Sequence, residues 1–269
     1  MRNALPGQNP IMKICILGSG SSGNCVFVSS DSTRVLIDAG LSAKEVERRL
    51  DLIGVRPETL TGLCVTHEHD DHKSAIGTLH RRHKLSLYAN SGTLQALEAD
   101  DKLKGLAWSV FETGRPFQIG DLQIEPFSVP HDSYDPVGFA ITCGASRVGI
   151  VTDMGMATTL IRERLKNCHV LVLESNHDED LLKNSTRPWS LKQRIAGNQG
   201  HLSNRQAGEL MLEVAGPQLR CIFLAHLSSD CNRPELALKA ARRTLDGADL
   251  KQVEVRLTFS DRISDIVEF

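Results

Sequence analysis

Thr66-His67-Glu68-His69-Asp70-Asp71-His72 follows the apolar run Leu60-Thr61-Gly62-Leu63-Cys64-Val65, which reads as a buried strand. At the end of that strand His67 and His69 stand two residues apart. In extended backbone this spacing turns both side chains to one face, so two imidazoles can converge on one cation. Asp71 and His72 come next, where the chain is expected to turn into a helix over 74–82, and they can hold a second cation beside the first. Histidine and carboxylate donors suit zinc, manganese or iron, and a cluster without thiolates is unlike a structural zinc finger. A polar loop that gathers three histidines by chance is the plainer reading. A His-x-His-x-Asp-His run placed directly after an apolar strand is more specific than that.

Four further segments repeat the theme of a polar donor closing a strand. Asp38 ends Arg34-Val35-Leu36-Ile37-Asp38 and is followed by Ala39-Gly40. His131 lies in Ser128-Val129-Pro130-His131-Asp132. Asp153 ends Val148-Gly149-Ile150-Val151-Thr152-Asp153, and His226 ends Cys221-Ile222-Phe223-Leu224-Ala225-His226. Taken in this order, the segments resemble the signature of the metallo-β-lactamase-fold hydrolases, and the similarity runs from about Met12 to Phe269. Within that superfamily, Gly18-Ser19-Gly20-Ser21-Ser22-Gly23-Asn24 and Glu174-Ser175-Asn176-His177-Asp178 are similar to the bacterial YycJ (WalJ/VicX) group of proposed exonucleases.

The resemblance implies an αββα sandwich, α/β in class, of two mixed sheets flanked by helices, with the metal site at one edge of the sheets. It implies two divalent ions per chain, one held by His67, His69 and His131, the other by Asp71, His72 and His226, with Asp153 bridging. Zinc or manganese is expected, with iron also compatible, and Asp71 counts as a catalytic residue as well as a ligand. Paired cations about 3.5–4 Å apart activate water and stabilise charge on the attacked centre. Asp38 is not a direct ligand in the family pattern; its expected task is to hold the histidine loop by hydrogen bonds. An Asp rather than a Cys at position 153 favours hard, oxygen-rich chemistry on esters and phosphates. Glu174 and His201 resemble the pair that protonates the leaving oxygen in the tRNA-processing ribonuclease Z, although Leu202 and Asn204 depart from that motif. A structural cap is the other reading of His201.

Composition narrows the class. The 269 residues carry a formal net charge of -2, so nucleic-acid binding has to rest on local charge. Lys183, Arg187, Lys192 and Arg194 around Trp189 form such a local patch, able to track phosphates and stack a base, or else simply a solvated basic loop. His177 is a candidate substrate contact or a polar turn residue. Seven dispersed cysteines with no Cys-x-x-Cys pair point to a reducing cytoplasm. No apolar run is long enough to cross a bilayer.

Along the chain, residues 1–11 read as a flexible extension and 12–269 as a single domain. Gly18-Ser19-Gly20-Ser21-Ser22-Gly23 matches a dinucleotide fingerprint in letters, but Cys25-Val26-Phe27-Val28 continues it as a strand where the fingerprint needs a helix. A wide hairpin is therefore expected there, with a phosphate-touching nest of amides still open. Helices are expected over 43–53, 74–82, 158–165, 204–215 and 234–245, and from Ser91 as a cap to about 98. Strands are expected over 13–17, 24–29, 85–89, 147–152, 169–174, 219–225 and 252–259, with several short ones between 108 and 142. Residues 178–200 show no period strong enough to assign. The leading function is a binuclear phosphodiesterase, a DNA or RNA exonuclease. The alternatives are a hydrolase of small phosphodiesters or thioesters, and a non-catalytic metal-binding regulator.

Overall fold

The computed structural model describes residues 11–269, so the expected extension over 1–11 lies outside the described residues except for Ile11. Two seven-stranded mixed sheets face each other, with helices on both outer surfaces. In the first sheet the order is β14 (Val267–Glu268), β1 (Lys13–Gly18), β2 (Cys25–Ser29), β3 (Arg34–Ile37), β4 (Gly62–Cys64), β5 (Ser86–Asn90) and β6 (Trp108–Phe111). The second runs β13 (Glu254–Leu257), β12 (Cys221–Ala225), β11 (Val170–Glu174), β10 (Ser146–Val151), β9 (Val137–Cys143), β8 (Leu122–Ser128) and β7 (Phe117–Ile119).

Alternation builds the layers. Ile14, Ile16, Val26, Val28, Val35 and Ile37 meet Ile124, Phe139, Ile141, Val148, Ile150, Val172 and Phe223 between the sheets. Their neighbours one residue along, such as Cys15, Leu17, Phe27 and Leu36, face outward. There they receive Val46 and Leu50 of α1 (Ala43–Leu52) and Ile76 and Leu79 of α3 (Ile76–His83). The other outer face is covered by α5 (Thr159–Leu165), α8 (Asn204–Val214) and α9 (Pro234–Gly247).

Several local expectations are revised. The helix expected over 74–82 is α3 (Ile76–His83), and a separate short helix, α2 (Asp70–Lys73), precedes it within the histidine run. Asn90, not Ser91, caps α4 (Ser91–Leu97), its side-chain oxygen accepting from the Thr93 amide. Ser203 does cap α8, in a reciprocal box with Gln206. The glycine-serine loop is a hairpin joining antiparallel β1 and β2. Residues 178–200, without a clear period, fold into α6 (Glu179–Asn184) and α7 (Trp189–Ile195). The strand β14, pairing with β1, has no counterpart among the expected elements. All seven cysteines are unpaired and buried, and burial pushes the Cys15 and Cys168 thiols up to about 11.

Candidate metal centre

Strand direction gathers the donors. β3 runs parallel to β4, and β10, β11 and β12 run parallel to one another. β8 shares their direction, since it and β10 are both antiparallel to β9. His67 and His69 follow the end of β4, His131 that of β8, Asp153 that of β10 and His226 that of β12, while Glu174 closes β11. Carboxyl ends of strands are where open α/β sheets place ligands.

The turn after β3 sets the depth of α2. Asp38 has a left-handed backbone (φ 61°). Two residues on, a Cβ at Gly40 would stand 1.6 Å from the Asp71 carbonyl oxygen, so only glycine lets α2 approach. The Asp71 carbonyl accepts from the Asn24 amide at 2.7 Å and the His72 carbonyl from the Ala39 amide at 2.8 Å. Asp38 Oδ1 accepts from the Thr66 amide and Oδ2 from the Thr66 hydroxyl, both at 2.8 Å, and Oδ2 lies 2.8 Å from His72 Nδ1. That bond turns His72 Nε2 inward, to 3.2 Å from Asp153 Oδ2.

Around Asp153 the histidines fall into sets. His67, His69 and His131 bring ring nitrogens within 4.8 Å of one another, as do His67 and His72 with an Asp153 oxygen, and Asp153, Glu174, His201 and His226. Asp153 Oδ1 lies 3.1 Å from His226 Nδ1 and 3.8 Å from His131 Nε2, so this one carboxylate spans both sides of the cluster. Asp71 sits at the margin, its Oδ2 3.5 Å from His226 Nε2 and 3.7 Å from His72 Nε2. His226, like Asp38, has a left-handed backbone (φ 54°), and its amide donates to the Ser19 hydroxyl at 2.8 Å.

Charge divides the imidazoles. Burial, reinforced by His72 close by, holds His67 well below the usual imidazole range, and burial likewise lowers His131. Burial also opposes the charged form of His72 and His226, but carboxylates override it: Asp38 and Asp153 raise His72 well above its ordinary value, and Asp153, Asp71 and Glu174 carry His226 to about 10. His201 is raised against burial chiefly by Glu174, whose Oε1 lies 2.7 Å from His201 Nδ1 and 3.0 Å from His226 Nδ1. Glu174 Oε2 accepts from the amides of Met154 and Leu202, each at 3.0 Å.

A divalent cation fits this donor set. Among the described residues, Asp153 Oδ2 and His226 Nε2 are buried without an aligned hydrogen bond, their close polar neighbours being His72 Nε2 at 3.2 Å and Asp71 Oδ2 at 3.5 Å, whereas buried polar atoms normally make one. The donors are nitrogen and oxygen without a thiolate, a chemistry open to zinc, manganese or iron.

The expected substrate contacts separate. Arg187 and Arg194 line the cavity above the histidines, Arg187 paired with Asp230 at 2.8 Å and Arg194 with Asp132. Lys183, Trp189, Lys192 and His177 line a different cavity, and His177 is buried there. Three neighbours of the site escape a reading of the sequence. Asn24 Nδ2 lies 3.0 Å from His72 Nε2 and 3.3 Å from Asp71 Oδ2, Asp132 Oδ1 lies 3.4 Å from His131 Nε2, and Thr66 bonds Asp38. Position beside His131 and beside His67 is the only local signal for the last two.

A family described as the beta-lactamase superfamily domain matches residues 33–223. The chain is 36% identical over 241 residues to an exodeoxyribonuclease WalJ of Streptococcus pneumoniae serotype 2, covering 88% of this chain and 90% of that one. It is 34% identical over 238 residues to an exodeoxyribonuclease YycJ of Bacillus anthracis, covering 86% and 88%. Among solved structures, the metallo-beta-lactamase fold protein YhfI from Bacillus subtilis superposes with a TM-score of 0.75 at 18% identity, covering 97% of this chain and all of that one.

Proposed function

The chain belongs to the β-lactamase superfamily, and from that premise we propose that it is a metal-dependent exodeoxyribonuclease acting as one domain over 12–269. The observation that carries the reading is the Asp153 carboxylate standing between two histidine sets. Relatives named exodeoxyribonucleases at 34–36% identity support the substrate class. His67, His69 and His131 would hold one divalent ion and Asp71, His72 and His226 a second, with Asp153 shared between them. Such ions supply water activation and neutralise charge on a scissile phosphate.

The protein's own groups do the rest. Asp38 fixes the His72 tautomer, presenting Nε2 to the site. Glu174 holds His201 Nδ1, leaving Nε2 to protonate the departing sugar oxygen, work suited to an imidazole made more basic by a carboxylate. Arg187 and Arg194 on the cavity wall would hold phosphate oxygens of a nucleic-acid strand, exchanging their present carboxylate partners for them. Among the described residues no helix is long and apolar enough to cross a membrane. Seven unpaired cysteines suit a reducing cytoplasm.

Protein reconstituted with zinc or manganese is expected to shorten an end-labelled oligodeoxynucleotide stepwise and to carry two ions per chain by elemental analysis. Hydrolysis of bis-p-nitrophenyl phosphate or a thioester with no action on DNA would overturn the exonuclease reading. One ion at saturation, unchanged in Asp71→Ala, would overturn the binuclear one.

A further inference from the structure

Helix α7 has two working faces. Leu191, Arg194 and Ile195 look into the cavity over the histidine cluster, whereas Trp189, Lys192, Gln193 and Ala196 line a second cavity of about 370 Å³, and the two share no lining residue. One helix therefore separates them, a width of roughly 10 Å. The second cavity lies between α6, α7 and the start of α8, with Leu182 and His177 on its walls and Lys183 and Arg205 among its lining cations.

Three features mark it as built for a ligand. Trp189 is 69% exposed, a large indole face that folding alone leaves wet. Its support is rigid: Lys192 Nζ donates to the carbonyls of Lys183 and Ser185, both at 2.7 Å, tying the turn between α6 and α7. His177 is only 2% exposed, and its Nδ1 is buried with no partner among the described residues. Burial keeps that ring below the usual imidazole range, which favours the neutral imidazole, able to make a hydrogen bond without a buried charge.

We propose that this cavity is a base-binding subsite for single-stranded DNA, in which a nucleobase stacks on Trp189 and hydrogen-bonds His177 while Lys183 meets the flanking phosphate. The assignment rests on the exonuclease reading and extends it. A strand whose end is held at the histidine cluster by Arg187 and Arg194 crosses the α7 ridge and seats a base a few nucleotides away. Stacking on an aromatic face tolerates any base, so the subsite would hold a strand regardless of its sequence.

The chain has two tryptophans, so Trp108→Phe leaves Trp189 as the sole indole reporter. Titrating this metal-loaded variant with hydrolysis-resistant phosphorothioate thymidine oligomers should quench its fluorescence with a 12-mer, and much less with a dimer that spans only the first cavity. By anisotropy of a dye-labelled 12-mer, Trp189→Ala in the otherwise native protein should raise Kd about 5- to 150-fold, the scale of removing one stacking platform. Trp189→Phe should recover most of that loss, and His177→Gln should weaken the same complex. Saturation by the 12-mer without quenching, or an unchanged Kd in Trp189→Ala while the wild type degrades DNA, overturns the subsite alone. A wild type that hydrolyses bis-p-nitrophenyl phosphate but neither binds nor cuts oligomers overturns the exonuclease reading and the subsite together.

Discussion

Replacing Glu174 by Gln tests a group that touches both the proposed acid and a proposed ligand. Its side chain is fully buried and its oxygens accept four bonds, two from the amides of Met154 and Leu202 and two from Nδ1 of His201 and His226. Glutamine has the same shape but one oxygen and one NH2 group. With the oxygen toward the amides, the NH2 faces both imidazoles, whose Nδ1 atoms must then accept instead of donate. The opposite orientation sets donor against donor at the backbone and is worse. The milder case exchanges two charge-assisted bonds of about 1.5–3 kcal/mol for neutral ones of about 0.5–1.5. The net loss is then roughly 2–3 kcal/mol, which lowers Tm by roughly 4–5 °C for a chain of this size.

The tautomer change carries the functional consequence. Once Nδ1 accepts, the proton moves to Nε2, so His226 can no longer offer Nε2 to a cation, and His201 loses the carboxylate that keeps it an acid. Cation affinity should fall about 10- to 100-fold at one of the two proposed sites, as happens when a ligand's hydrogen-bonded support is removed. DNA cleavage at restored occupancy should still lag more than hydrolysis of bis-p-nitrophenyl phosphate, whose leaving group needs no proton. The assays are differential scanning calorimetry, titration against a chromophoric chelator, and paired rates on the two substrates. A Gln variant that melts with the wild type and fills both sites at wild-type affinity would refute the reasoning.

His201→Ala should slow DNA cleavage by roughly 10²–10⁴-fold while sparing the nitrophenyl ester and retaining the metals; equal losses on both substrates at full occupancy would remove it as the acid. Gly40→Ala places a methyl group 1.6 Å from the Asp71 carbonyl, so α2 must move, with a loss of about 3 kcal/mol or more visible as a lower Tm and weaker cation uptake; a variant that loads and melts normally would show that α2 is not held by this close approach. Arg187→Ala with Arg194→Ala should flatten the salt dependence of single-stranded DNA binding by about 0.7 in log–log slope for each phosphate no longer neutralised, and an unchanged slope would mean that neither arginine meets the backbone.

Much of this architecture can be read from the chain because its strands are short apolar runs. Lys13–Gly18 and Cys25–Ser29 are buried almost throughout, as strands covered on both faces must be, and strand ends announce Asp38, His67, Asp153 and His226. The α6–α7 segment escapes because each helix is barely two turns and buries little: Leu182 in one, Ile195 in the other. Its N-terminal signal is nevertheless present, since Asp178 accepts from the amides of Asp180 and Leu181. The division of the basic residues between two cavities cannot be foreseen, because it depends on which face of α7 each occupies once Ile195 is buried. Asn24 reaches His72 across 48 residues of chain, and no local pattern reports an interaction of that range.

The left-handed turns at Asp38 and His226 narrow what evolution or an engineer can do here. Outside glycine, that backbone conformation is taken most readily by Asn, Asp and His, and glycine brings no donor. Each position must therefore satisfy a steric filter and a chemical one at once, and few residues pass both. Asp153 carries no such turn. An exchange of donor chemistry, a thiolate for a carboxylate for instance, can be tried at 153 without disturbing the chain path. At 226 the same exchange would have to rebuild the strand end first, so the proposed centre is adaptable at Asp153 and resistant to change at its flank.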